Sequence, residues 1–297
     1  MGNFSYFLRS LSRQFSDERF RCPSCRNSMK NIVVDRKVVV TQLRRCSCCK
    51  LLFRTPTDDP NTNESFYENE YTQGFTTTLP SDAELAELKQ SKFSGTMRDY
   101  SYYIGVLTQL GLNPGSRIFD YGCSWGYGSY QLAQAGFDVM SFEVASSRRR
   151  YAKEKLGVRM ADDMDRASSE FAGQFDCFFS AHVIEHVPCP AKALDYAMKL
   201  LKIGGIFVSF TPNGSQARRS IESSRWHNRW HKEWGEVHPQ FIDDIFLDTS
   251  FSRSPRAVGT SPVTGASLTE ESVLTRLDNL EGGELFFAAR KIGEVWS

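Results

Sequence analysis

The order of apolar and polar positions from residue 111 onward predicts strands that alternate with helices. Apolar runs of strand length occur at 117–119, 139–142, 158–161, 175–181, 206–210, 255–259 and 284–291. Apolar residues at helical spacing fall between them, at 130–135, 146–156, 191–202 and 241–251, whereas 260–280 is predicted as loop and helix. This alternation predicts an α/β domain.

The first 110 residues follow a different pattern. Apolar residues at 32–34 and 38–40 flank the polar stretch 35–37, which predicts a β-hairpin that turns at the polar residues. Helices are predicted at 82–90 and 96–110. The face of Phe4, Phe7, Leu8, Leu11 and Phe15 predicts a lead-in helix docked on the body, with a membrane-surface helix as the alternative.

Two cysteine pairs enclose the predicted hairpin. Cys22 and Cys25 form one C-x-x-C pair, and Cys46 and Cys49 form the other. Two such pairs at this separation are typical of a zinc ribbon, although Cys48 is an alternative ligand to Cys46 or Cys49. Four thiolates fill a tetrahedral shell, so the predicted Zn²⁺ is structural rather than catalytic. The alternative is a set of incidental thiols or a disulfide pair.

A glycine-rich turn, DYGCSWGYG at 120–128, follows the first core strand. Its spacing is G-x-x-x-G-x-G, which differs from the G-x-G-x-x-G of dinucleotide sites. The preceding acid, Asp120, would repel a pyrophosphate but suits a ligand with a free amino group. Glu143 ends the next strand about twenty residues later, where a carboxylate can accept hydrogen bonds from ribose hydroxyls. These features predict an adenosine-containing ligand at the carboxyl ends of the strands.

Two further stretches, FDCFFSAHVIEHVP at 175–188 and KIGG at 202–205, occur in order after this turn. Together the three resemble the class I S-adenosylmethionine-dependent methyltransferases, whose first motif is D/E-x-G-x-G-x-G. Ser124 replaces the middle glycine. The resemblance covers about residues 111–213 and implies a Rossmann-like, doubly wound, seven-stranded sheet with an antiparallel last strand. The "hVlEHv" form of the second stretch is a signature of the branch that methylates small molecules.

The resemblance also implies which residues bind S-adenosylmethionine. They are Asp120, Tyr121, Gly122, Gly126, Glu143, Asp162, Asp163, Ala181 and His182. Asp162 and Asp163 compete to accept a hydrogen bond from the adenine amino group, and the sequence does not separate them. Aromatic helices before the core strand often form a lid in this family, so Tyr71 and Tyr103 are pocket candidates or packing residues.

Three histidines are candidates for a general base: His182, His186 and His238. His182 faces the cofactor in the resembling family, whereas His186 more often has a structural part. His238 is the first choice because it comes from the variable, substrate-facing side. GEVHPQF at 235–241 resembles a stretch of zinc-ribbon-bearing methyltransferases of sugar and natural-product pathways, in which the histidine lies at the active-site mouth. The match is partial because Val237 interrupts the Glu-His pair. We therefore expect His238 and His182 to be catalytic.

Trp226, Trp230 and Trp234 recur at four-residue spacing, beside His227 and His231. The pattern predicts a helix with one tryptophan stripe and one histidine stripe. A packed amphipathic helix, a wall that stacks a sugar or aromatic substrate, and a nucleic-acid stacking surface all remain open. A zinc site of the two histidines lacks a third ligand.

Composition narrows the classes of function. The chain has 297 residues, with 36 basic and 35 acidic side chains, so its net charge gives no support for nucleic-acid binding. No apolar run reaches the eighteen or so residues of a membrane span. Residues 1–20 lack a signal-peptide core, and we expect a cytoplasmic protein with reduced cysteines.

The sequence therefore predicts a zinc ribbon fused to a methyltransferase domain. The predicted parts are a lead-in helix at 1–20, a zinc ribbon at 21–54, a linker and helical lid at 55–110, and the methyltransferase domain at 111–297. The expected acceptor is a small molecule such as a sugar or natural-product precursor. The alternatives are a ribosomal-RNA methyltransferase with a zinc ribbon and a non-catalytic adaptor with a degenerate fold. The pattern does not indicate an oligomeric state.

Overall fold

The computed structural model describes residues 7–8, 10–11, 21–27, 32–37, 40–58, 60–69, 77–226, 228–268 and 273–293. The lead-in helix predicted around residues 4–15 therefore lies largely outside the described residues. Tyr71 and His227 lie outside them too.

A seven-stranded sheet forms the centre of the molecule, in the order β10-β9-β11-β7-β6-β4-β5. Its strands are β4 (Arg117–Tyr121), β5 (Asp138–Phe142), β6 (Phe175–Ala181), β7 (Leu201–Pro212), β9 (Arg256–Thr260), β10 (Leu274–Arg276) and β11 (Glu284–Arg290). Strands β5, β4, β6 and β7 are parallel, and β11 is antiparallel to β7 and β9. The predicted α/β fold is confirmed.

The helices lie on both faces of this sheet. They are α1 (Pro60–Asn69), α2 (Asp82–Gln90), α3 (Ser101–Gln109), α4 (Tyr127–Gln134), α5 (Ser146–Leu156), α6 (Met164–Glu170), α7 (Pro190–Leu200), α8 (Gly214–Glu222), α9 (Asn228–Glu233) and α10 (Asp244–Ser250). Successive side chains of a strand point to opposite faces. Phe178 and Phe179 accordingly enter different core clusters, as do Phe287 and Phe286. Both faces are therefore covered by apolar layers.

Two edges of the sheet differ from the sequence prediction. The strand predicted at 158–161 is only an isolated bridge between Ser141 and Met160, because Asp163 already serves as the N-cap of α6. The segment predicted as loop and helix contains the edge strand β10, parallel to β9. That strand is short and partly exposed, so it carries little apolar signal.

A second sheet has four strands in the order β1-β2-β3-β8. They are β1 (Ile32–Lys37), β2 (Thr41–Arg45), β3 (Leu52–Thr55) and β8 (Gln240–Phe241). The hairpin is confirmed, but its predicted turn at 35–37 is wrong because these residues pair with 41–43 as strand. The second strand is polar apart from the buried Leu43, so sequence pattern did not reveal it.

The cysteine-bearing segment is joined to the main domain through this sheet. Strand β8 belongs to the C-terminal half of the chain, and Leu52 of β3 pairs with its Phe241. Cys22 and Phe53 lie in the same apolar cluster as Phe246 of α10. The linker predicted at the start of the 55–110 segment is partly helical, since α1 begins at Pro60.

Trp226, Trp230 and Trp234, here called the tryptophan block, hold the hairpin against the main domain. Trp226 and Trp234 each donate an indole N–H to Asp35 Oδ2, at 2.9 Å, and His231 Nδ1 lies 2.8 Å from the same oxygen. Trp230 is buried in a cluster with Leu43. Helix α9 is only six residues long. This arrangement favours the packing interpretation of the block over a substrate wall or a nucleic-acid surface.

Candidate active site

The glycine turn after β4 is built by backbone contacts that require glycine. Gly122 has φ +83°, and a Cβ atom there would lie 2.3 Å from a methyl carbon of Val183. Gly126 has φ +86° as the N-cap of α4, and a Cβ atom there would lie 2.8 Å from that of Ala152. The turn can therefore approach the β6 loop and α5 closely only because these positions lack side chains.

Asp120 lies beneath this turn at the end of β4. It is buried, and its Oδ2 accepts a hydrogen bond of 2.6 Å from Ser129 Oγ. Burial raises the pKa of Asp120 to about 7, with Glu143 adding to the effect and Ser129 opposing it. The neighbouring Tyr121 ring stacks on Phe142 within the core. Asp120 is thus a carboxyl group whose charge changes near neutral pH.

Glu143 follows β5 and is directed at the glycine turn. Its carboxylate accepts hydrogen bonds from Ser124 N at 3.0 Å and Ala145 N at 2.9 Å, and Arg148 lies 3.3 Å away. Burial raises the pKa of Glu143, while Arg148 and the two amides lower it in part. A carboxylate offers about four lone-pair sites, so acceptor capacity remains for a ribose diol.

Asp162 and Asp163 follow the bridge residue Met160 and differ in their engagement. Asp162 is exposed and pairs with Lys153 at 2.7 Å. Asp163 Oδ1 accepts a hydrogen bond from Arg166 N, 2.7 Å away, at the start of α6. Both side chains are exposed, and each carboxylate already has a partner.

On the other side of the turn, Ala181 ends β6 and His182 follows with φ +55°. His182 Nε2 lies 2.6 Å from Glu284 Oε1, and its Nδ1 lies 3.7 Å from Glu185. Partial burial would lower the pKa of His182, but these two carboxylates outweigh it and raise the pKa to about 10. Glu284 also accepts a 2.8 Å hydrogen bond from Tyr103 OH. His182 is therefore an imidazolium at neutral pH.

His186 and His238 stack face to face next to Glu185. Their ring centroids are 4.8 Å apart, with an interplanar angle of 28°. One donor atom each from Glu185, His186 and His238 lies within 4.8 Å of the others. Burial lowers the pKa of His238, and His186 lowers it further. The structure thus brings all three candidate histidines to one place.

Sequence reasoning did not single out the acids Glu185 and Glu284. Glu284 begins a strand antiparallel to β7, opposite Pro212, so it lies at the edge where the parallel strands end. The position of Glu284 at the start of the last predicted strand could have identified it as a candidate site residue. Glu185 lies within a recognised motif, but its burial was not visible in the sequence.

Helix α1 crosses both halves of this site. Asn63 Nδ2 donates to His186 O at 3.1 Å, and the Tyr67 ring meets the His186 ring edge-on at 6.0 Å. Glu68 accepts a 2.6 Å hydrogen bond from Ser146 N, at the start of α5. A helix in the segment predicted as a lid therefore covers the loops after β5 and β6.

The four predicted cysteine ligands converge. Cys22 and Cys49 have sulfur atoms 3.5 Å apart, as do Cys25 and Cys46, and all four sulfurs lie within 4.8 Å of one another. Zn–S bonds of about 2.3 Å in a tetrahedron place sulfurs about 3.8 Å apart, so the cluster fits Zn²⁺. Cys48 is exposed and outside the cluster.

A known protein family matches the part of the chain that contains the glycine turn and the loop after β6. Residues 119–209 match a family model described as a methyltransferase domain. This stretch is a methyltransferase domain. Together with the sheet order, the match confirms the predicted class I S-adenosylmethionine-dependent family. It includes the glycine turn, Glu143 and the 182–186 loop, whereas His238 and Glu284 lie outside it.

Ubiquinone biosynthesis O-methyltransferases are among the curated relatives of this stretch. The chain is 30% identical over 113 residues to that of Psychrobacter cryohalolentis, covering 35% of this chain and 44% of the relative. It is 34% identical over 106 residues to that of Caulobacter vibrioides, covering 33% and 42%. The alignments thus span less than half of the relatives' length.

A solved S-adenosylmethionine-dependent methyltransferase from Thermotoga maritima aligns with 17% identity and a TM-score of 0.44, covering 70% of this chain and 95% of that one.

Among the described residues, no helix has the length and apolarity needed to cross a membrane.

Proposed function

We propose that the methyltransferase domain transfers a methyl group from S-adenosylmethionine to a hydroxyl group of a small-molecule acceptor. The main support for this proposal is that two sets of candidate residues lie at the carboxyl ends of the parallel strands. Glu143 and the glycine turn lie on one side, and His182, Glu185 and His238 lie on the other. This separation suits a cofactor and an acceptor that meet end to end.

On the cofactor side, the buried Glu143 carboxylate is the group that would accept both ribose hydroxyls. The close turn at Gly122 and Gly126 would let the cofactor approach the backbone. Asp120 would act from below the turn, and either Asp162 or Asp163 would bind the adenine amino group. When bound, S-adenosylmethionine supplies an electrophilic sulfonium methyl group for in-line displacement.

On the acceptor side, His238 is our candidate for the group that removes the hydroxyl proton. Its lowered pKa keeps the imidazole neutral at cellular pH, as a base requires. His182 is a poor base because its raised pKa keeps it protonated. We assign His182 a positioning part, held between Glu185 and Glu284.

A small acceptor fits the described surface better than a nucleic acid does. Trp226 and Trp234, which the sequence offered as part of a stacking surface, are engaged with Asp35 of the hairpin. The curated relatives carry names of small-molecule O-methyltransferases, which agrees with this choice of acceptor. A sugar or another natural-product precursor is the acceptor class that we propose. The cysteine cluster would hold one structural Zn²⁺.

Calorimetric titration with S-adenosylmethionine tests the cofactor assignment. We expect binding by the full chain, and release of S-adenosylhomocysteine when hydroxylated sugars or phenols are offered as acceptors. Glu154→Ala, on the exposed surface of α5, is the control for Glu143→Ala. Absence of binding by the folded full chain would refute the enzyme proposal and favour the adaptor alternative.

A further inference from the structure

We propose that Glu185, His186 and His238 bind a divalent cation, separate from the cysteine cluster, which holds the acceptor hydroxyl. The role of the cation rests on the proposed methyl transfer, whereas the binding site itself is inferred from the positions of the three side chains. Glu185 and His186 lie on the turn after β6, and His238 lies in the loop before β8.

The three donor atoms are close enough to share one ion. They lie within 4.8 Å of one another. Metal–nitrogen bonds of about 2.1 Å allow two donors on opposite sides of an ion to be about 4.2 Å apart, so the most distant pair must approach by about 0.6 Å or more to share an ion. His186 and His238 are half-buried.

The Glu185 carboxylate is the strongest sign of a ligand. It is only 3% exposed, and within the described part of the chain neither of its oxygens has a hydrogen-bond partner. The nearest histidine nitrogens are His186 Nε2 at 3.6 Å and His182 Nδ1 at 3.7 Å, both beyond hydrogen-bond distance. A buried carboxylate without hydrogen bonds is costly, and a cation would satisfy it.

Both histidine rings have the orientation found in metal sites. His186 Nδ1 lies 2.6 Å from Val237 O, and His238 Nδ1 lies 3.2 Å from Glu233 O. A carbonyl oxygen only accepts, so Nδ1 carries the proton in each ring. A neutral ring in this tautomer has its lone pair on Nε2. Backbone carbonyls fix metal-binding histidines in this tautomer.

Two imidazoles and one carboxylate favour a transition-metal ion such as Zn²⁺, Mn²⁺ or Fe²⁺ over Ca²⁺. Three protein ligands leave positions open for an acceptor, best filled by one with two adjacent oxygens. The cation would lower the hydroxyl pKa, so the O–H bond breaks and the proton passes to solvent. The oxygen then attacks the methyl carbon, and the C–S bond breaks with its electron pair retained by sulfur. With the cation bound, His238 is a ligand rather than the base, and the cation takes over the activation of the hydroxyl.

Manganese separates this site from the cysteine cluster, because Mn²⁺ prefers oxygen and nitrogen ligands to thiolates. We would titrate the full chain, with its zinc retained, with Mn²⁺ and follow free Mn²⁺ by electron paramagnetic resonance. One Mn²⁺ per chain is expected. His238→Ala and Glu185→Gln should each weaken binding at least tenfold, whereas Glu154→Gln, on the exposed surface of α5, should leave it unchanged.

Glu185 is buried, so the Gln variant is first checked by its thermal unfolding and its affinity for S-adenosylmethionine. His238→Ala decides the question if that variant does not fold. Failure to bind Mn²⁺, or equal affinity in His238→Ala, would overturn the site. Because this titration contains neither cofactor nor acceptor, its result is independent of whether methyl transfer occurs. Full turnover after removal of the cation would overturn the catalytic part alone.

Discussion

Asp35, in the hairpin of β1 and β2, is one of the residues that hold the segment around His238. Its Oδ2 accepts the indole N–H groups of Trp226 and Trp234 and contacts His231. Burial alone would raise the pKa of Asp35, but these three partners outweigh it and lower the pKa. Removing the carboxylate in Asp35→Ala leaves two indole donors without this acceptor.

The expected cost follows from the bonds that are lost. A hydrogen bond to a charged group contributes about 1.5–3 kcal/mol, and bonds that share one acceptor do not add fully. We therefore expect the docking of the hairpin to weaken by about 3 kcal/mol, a factor of about a hundred in the docked population. The lowered pKa means that this stabilisation is present above pH 4 and is lost as the pH falls through the folded-state pKa.

The effect should reach the candidate active site, because His238 lies only four residues after Trp234. Hydrogen exchange of the backbone amides at 230–241 should accelerate in Asp35→Ala, and turnover should fall while affinity for S-adenosylmethionine stays within twofold. Arg36→Ala, exposed on the same strand, is the matched control. Unchanged exchange together with unchanged turnover in Asp35→Ala would refute the docking role.

Four further outcomes are expected. Glu143→Ala should weaken S-adenosylmethionine binding at least tenfold by calorimetry, because two hydrogen bonds to a charged group are lost. His238→Ala should lower turnover about 10²–10⁴-fold with cofactor affinity nearly unchanged, and full turnover would contradict the assignment. Cys22→Ser should release zinc, seen by elemental analysis, and make residues up to about 54 protease-sensitive. The raised pKa of Asp120 destabilises the fold as pH rises from about 4 through 7, by at most about 4 kcal/mol, so Asp120→Asn should be the more stable protein at pH 8 in chemical unfolding.

The parts of the fold that the sequence predicted are those encoded by local pattern. The 146–156 helix has the predicted bounds, and β4, β5 and β6 lie where apolar runs end on Asp120, Glu143 and Ala181. Those endings also predicted the cofactor side of the site. Strand β10 and helix α1 were missed because their polar residues fold through contacts with distant segments rather than through their own periodicity.

The acceptor side of the site was less predictable for the same reason. The sequence identified the three histidines as candidates. It did not show that they lie together, because His238 reaches the other two through the pairing of β3 with β8, which are far apart in the sequence. Glu185 became informative only once its burial was known. The tryptophan stripe gave several interpretations because helical spacing alone does not say which surface the stripe covers.

One residue shows why the cysteine-bearing segment and the site form a single unit. Strand β8 is only two residues long, and two paired residues are too few to fix a loop by themselves. Gln240 of β8 is buried and donates through Nε2 to Ile184 O at 3.0 Å and to Val187 O at 2.6 Å. These two carbonyls belong to the turn that carries Glu185 and His186. The hairpin therefore positions β8, β8 positions that turn, and His238 lies in the loop between the two anchors, Trp234 and Gln240. A metal that orders the cysteine cluster would in this way order the acceptor side of the site.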